Sequence, residues 1–185
     1  MGGGLVWIEP EDGPGTGDDA LVALAAGAVP AEWDGEVAAG SVTCPLCGAD
    51  TYEAVRGDCF CDACCIPLGI ANGCDYVPDG FAWRLVPSAG PPAASGGAFV
   101  PSDAPGLRCP VGHDVFHVAV ALAFGADGRA RRLSAALRCP EDGALHLYVN
   151  DARVEPRNGC LRPDAGSGSG SADGAAGCGS VNTTD

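Results

Sequence analysis

The stretch CPLCGADTYEAVRGDCFCDACC, residues 44–65, decides how this chain folds. Cys44 and Cys47 make one CxxC pair and Cys61 and Cys64 a second, with 13 residues between the pairs. A CxxC turn, or knuckle, aims two thiolates at one place, and Gly48 after Cys47 supplies the left-handed backbone such a turn favours. Two knuckles complete a tetrahedron around one metal ion. Between them, Thr51, Tyr52 and Val55 lead into an Arg56-Gly57-Asp58 turn and Phe60 follows. That pattern predicts an antiparallel hairpin that returns the second knuckle to the first.

Cys44, Pro45, Cys47 and Gly48, followed by Cys61 and Cys64, resemble the CPxCG…CxxC pattern of the zinc-ribbon superfamily. The resemblance covers residues 42–66 and implies a zinc ion held for structure. Many ribbons have Gly where this chain has Cys65, and Cys59 also stands close. Cys59 paired with Cys64, or Cys61 with Cys65, is therefore an alternative to the Cys44, Cys47, Cys61 and Cys64 set. A thioredoxin-like redox pair would need a long helix after one CxxC, which Pro67, Gly69 and Gly73 oppose. Rubredoxin-like iron would want Pro and Gly in the second knuckle, so zinc is the expected metal.

Residues 107–160 read as a second β module, a three-stranded meander with a weaker ribbon-like resemblance over 107–150. In VFHVAVALAF, Phe116, Val118, Val120, Leu122 and Phe124 share one parity, and His117, Ala119, Ala121 and Ala123 the other. That is a strand buried on one face. Ala126-Asp127-Gly128 predicts a turn, followed by a second strand over Leu133 to Cys139 and a third over Leu145 to Val149. A turn centred near Ala126 sets Asp114 opposite Arg138 and brings CPVGH (109–113) beside CPEDG (139–143). Cys109, His113 and Cys139 then converge as ligands of a second zinc ion. His146 is the expected fourth ligand, ahead of Asp142, Cys160 and His117. The same residues spell HDVFH, near the HExxH pattern in which a helix presents two His to zinc beside an acidic base. A metallohydrolase using His113, Asp114 and His117 is the enzyme alternative, opposed by the period-two alternation.

Outside these modules the chain offers less. Residues 1–40 hold one short helix, expected over Asp18 to Ala28, with Thr16 and Asp19 at capping-box spacing and Pro30 beyond its end. Residues 41–86 contain the first cysteine module, 87–106 read as a Pro/Gly-rich linker, and 161–185 as a disordered tail in which Cys178 is an exposed thiol. The 29 Gly and 15 Pro leave little bulky material for a large core. The expected fold is a small, metal-stabilised β protein of two zinc-ribbon-like hairpin modules.

Ten basic residues, all Arg, stand against 24 acidic ones, for a net charge of −14. Such a chain is repelled by nucleic acid and anionic membranes unless its arginines cluster. Arg129, Arg131, Arg132 and Arg138 lie close enough in sequence to keep a nucleic-acid-binding alternative open. No run approaches the ~18 apolar residues of a membrane span, and the start MGGGLVWIEPEDGPG lacks the regions of a signal peptide. A cytoplasmic setting follows as the expectation, in which the 11 cysteines serve as metal ligands rather than disulfides. No nucleophile–base pair or phosphate-binding glycine loop is evident. The expected function is a non-enzymatic, zinc-binding module that meets another protein.

Overall fold

The computed structural model describes residues 6–9, 17–55, 58–71, 83–85 and 106–156. Arg56, Gly57, Cys74, Cys160, Cys178, the expected linker up to Pro105 and the expected tail lie outside the described residues. Among the described residues the elements are one helix, α1 (Asp18–Gly27), and seven strands: β1 (Val37–Ser41), β2 (Thr51–Val55), β3 (Asp58–Cys61), β4 (Trp83–Leu85), β5 (Val115–Phe124), β6 (Ala130–Arg138) and β7 (Leu145–Pro156). The fold is small, mostly β and antiparallel, as expected. None of the described helices is long and apolar enough to cross a membrane.

The strands form one sheet in the order β3-β2-β5-β6-β7-β4, with β1 also paired to β5. The first hairpin and the second thus share a sheet through β2 and β5. One edge of β5 is taken by β6. Its other edge is divided, with β1 opposite Ala119 to Ala123 and β2 opposite Val115 to His117. Both run in the same direction against β5, and the Val42 N–H donates to the Val118 carbonyl between them at 2.9 Å. Residues 42–50 therefore loop out of a single edge line, and that excursion carries the first knuckle.

β5 alternates by residue size as well as by parity. Phe116 and Val118 join Leu133, Leu137, Tyr148, Tyr52, Cys59 and Leu68 in the main core. Burying each large side chain of this set contributes roughly 1.5–3 kcal/mol. On the opposite face Ala119, Ala121 and Ala136 lie under Leu21 and Ala25 of α1. β5 is thus buried on both faces, where the sequence suggested one. The alanines leave room for a helix to lie close on the sheet.

α1 ends one residue earlier than expected, and its N-cap position is Gly17, with no side-chain cap bond. Asp18 and Asp19 instead place carboxylates in the first turn, where the helix dipole favours them. Asp18 also reaches the Arg138 guanidinium at 3.1 Å.

Three further expectations are corrected. Arg138 lies opposite His117 rather than Asp114. The connection is wider than a turn at Ala126: the Gly125 N–H donates to Arg129 and the Gly128 N–H to Gly125, and the register shifts between Ala123 and Phe124. β7 also runs past Val149 to Pro156, pairing its outer edge with Ile8 at Leu145 and with β4 at Val154 to Pro156.

Candidate metal centres

Each hairpin carries a group of metal-ligating side chains at its open end. The first is Cys44, Cys47, Cys61 and Cys64, and the second is Cys109, His113, Cys139 and Asp142. Within each group the ligand atoms all lie within 4.8 Å of one another.

Local backbone bonding makes these groups. In the first knuckle the Cys44 N–H donates to Ala49 (2.7 Å) and the Gly48 N–H returns to Cys44 (2.8 Å). The second repeats it, with Cys61 to Ile66 (2.9 Å) and Cys65 to Cys61 (2.8 Å). The turn after β6 repeats it again, with Cys139 to Ala144 (3.0 Å) and Gly143 to Cys139 (2.9 Å). All three have positive φ at the fifth residue: 76° at Gly48, 60° at Cys65 and 73° at Gly143. Cys65 is the only one of these with a side chain to strain, in a region L-residues seldom enter. The turn before β5 is tighter, Cys109 donating to His113 and Gly112 to Cys109.

The first centre fits a four-thiolate ion. Cys44 Sγ lies 3.5 Å from Cys64 Sγ, and Cys47 Sγ 3.5 Å from Cys61 Sγ. A disulfide would bring sulphurs to about 2.05 Å, whereas a tetrahedral ion with metal–sulphur bonds of about 2.3 Å sets them about 3.7 Å apart. All four thiols are free. Burial pushes the Cys44 thiol up, but the N–H groups of Cys47 and Leu46 and the sulphurs of Cys64 and Cys47 outweigh it, bringing it down to about 6. At Cys64 the Ile66 N–H acts downward, yet burial and the bonds to Cys44, Cys61 and Cys47 push the thiol up to about 12. Ionisation of Cys44 thus opposes that of Cys64, and a cation between them would favour both thiolates.

The second centre mixes donors. His113 Nδ1 lies 3.5 Å from Cys109 Sγ and 3.4 Å from Cys139 Sγ, against about 3.5 Å for a tetrahedral ion with sulphur and imidazole ligands. Asp142 Oδ2 comes within 3.1 Å of Cys109 Sγ and 4.0 Å of His113 Nδ1. Its Oδ1 accepts the Ala144 N–H at 2.9 Å, so one carboxylate oxygen is anchored and the other faces the cluster. Burial acts to raise the Asp142 carboxyl, but the Ala144 N–H, the Cys109 and Cys139 thiols and His113 together lower it. Burial pushes Cys139 up to about 11, its bonds to the Asp142 and Cys109 side chains adding to the effect against the Asp142 and Glu141 N–H groups.

Other sequence candidates go elsewhere. His146, the expected fourth ligand, does not join the cluster: its Nδ1 donates to the Val6 carbonyl at 2.8 Å and its ring lies 5.0 Å from Trp7. Its parity on β7 turns it toward the N-terminal segment. Cys59 is fully buried in the main core, and Cys65 is disulfide-bonded, which corrects the expectation that the cysteines serve as ligands rather than disulfides; Cys61 and Cys64 are left to complete the first centre. His117 sits in β5 against the Asp50 carbonyl at 3.2 Å, and Asp114 pairs with Arg108 at 2.8 Å. HDVFH enters a strand, so its histidines do not share a helix face.

Asp142 ranked behind His146 on residue type alone. The stronger signal was positional: CPEDG aligns residue for residue with CPLCG, which sets Asp142 where Cys47 stands. The four-cysteine cluster is compatible with a zinc-ribbon-like site. No protein-family model, curated protein or solved structure that was compared with the chain matches it.

Proposed function

We propose that this chain is a zinc-binding protein whose two ions hold the sheet in shape, and that it serves as a protein-interaction or regulatory module. The observation that carries the reading is the repetition of one backbone knuckle three times, each presenting paired ligand positions to a cluster of tetrahedral dimensions. The soft thiolates favour zinc over harder divalent ions. With four protein ligands apiece, neither ion keeps an open position for a substrate, which favours a non-enzymatic role. His117 and Asp114, needed by a hydrolase, are engaged with Asp50 and Arg108.

The charge distribution favours a protein partner over nucleic acid. Arg129 and Arg131 pair with Asp127, Arg132 with Asp151, and Arg138 with Asp18. Three carboxylates thus offset most of the charge of these four arginines within the molecule. Leu46 and Val111, the middle residues of CPLCG and CPVGH, are 67% and 71% exposed and offer apolar contacts beside each centre.

Metal analysis tests the reading. Protein purified in the presence of zinc should carry two equivalents, with Cys44→Ser and Cys139→Ser each losing one. Absence of bound zinc from the wild-type chain would remove it.

A further inference from the structure

The two centres share a scaffold but not a donor set, and the difference falls on one residue. Asp142 occupies the fourth position of a knuckle whose hydrogen bonds match those at Cys44 and Cys61. The Cys47 and Cys64 thiolates hold the corresponding positions in the first centre. The knuckle backbone is therefore complete at Asp142, and only the ligand atom has changed. A carboxylate oxygen is a harder, weaker donor toward zinc than a thiolate, and His113 replaces a further thiolate with a neutral nitrogen. Exposure does not separate the centres, since Cys47 is exposed and the His113 side chain is 42% exposed. The donor set does.

From this the geometry points to the Cys109–His113–Cys139–Asp142 centre as an exchangeable zinc site, with Asp142 as the ligand that sets how readily the ion leaves. This rests on the zinc reading above and adds to it. The first centre fills first and empties last, and the second responds to available zinc. Its position gives the exchange a consequence. Cys109 precedes β5, while Cys139 and Asp142 join β6 to β7, so release loosens the junction of three strands and leaves the β2–β3 knuckles closed.

The test uses the full chain loaded with two equivalents of zinc, exposed to a chelator of increasing concentration, with retained zinc measured at each step. Release should occur in two stages. Asp142→Ala should release the more labile ion roughly tenfold or more faster while the other is kept. Asp142→Cys, which completes the knuckle as in CPLCG, should merge the two stages. Cobalt loading offers an independent reading: the first equivalent should show about twice the thiolate charge-transfer absorption of the second, four sulphurs against two. Release of both ions together, or two stages unchanged in Asp142→Cys, would overturn the inference. So would a single bound ion at every zinc concentration that is unaffected by Cys139→Ser, although the first centre would stand. A chain with no bound zinc would remove both readings.

Discussion

His146 shows how one side chain can look like a ligand and act as a packing group. The residue is 7% exposed, and its ring lies 5.0 Å from that of Trp7 and holds the Val6 carbonyl. Burial lowers its pKa below 6.5, partly offset by the bond to Val6. The unfolded chain therefore takes up the proton first as pH falls. The stability this residue contributes is present above pH 6.5 and is lost as pH drops through that value toward the folded one. Urea unfolding at pH 7.5 and 5.5 should show a smaller loss of stability for His146→Phe than for the wild type. An equal loss in both would refute the assignment. The same residue marks the limit of the sequence reading: cysteine spacing picked out the six sulphurs and His113 that the two clusters bring together, but residue type favoured His146 where position in the knuckle favoured Asp142. A histidine's role depends on which side of its strand meets which distant segment, and Trp7 is far from it in sequence.

The elements that could be read were those with clear alternation, a turn or a helix stop signal. β5, β6 and the start of β7 lie where alternation put them, β2 and β3 flank the expected turn, and α1 lies within one residue of where capping-box spacing and Pro30 put it. β1, with the sequence VAAGS, has no contrast between its two parities, and β4 is only three residues long. Neither announces itself locally. The alanine parity of β5 is the more telling case. It reads as a solvent-facing side because alanine is small, yet Ala119 and Ala121 are fully buried beneath α1. Smallness at these positions sets how near the helix can lie. Ala121→Leu should overpack this layer and cost about 1–3 kcal/mol by chemical denaturation, with zinc content unchanged. A neutral effect would mean that α1 is loosely held.

At the scale of the whole molecule, two hairpins with similar knuckles are fused into one sheet by the short β2–β5 ladder and by β1 on the same edge. No local pattern encodes that pairing, because it depends on residues 51–53 finding residues 115–117 across the intervening chain. The fused sheet explains how a chain with few aromatic residues builds a common core: Tyr52 and Phe116 face each other across the ladder, and both are fully buried. Metal at each open end would fix the strand termini that this modest core leaves unsecured. The two centres differ in the ligand sets they offer, four sulphurs in one and two sulphurs, a nitrogen and an oxygen in the other. Zinc K-edge X-ray absorption of the fully loaded chain tests this directly. The averaged first shell should hold three sulphurs at about 2.3 Å for each nitrogen or oxygen at about 2.0–2.1 Å. A shell of sulphur alone, or one dominated by oxygen and nitrogen, would contradict it.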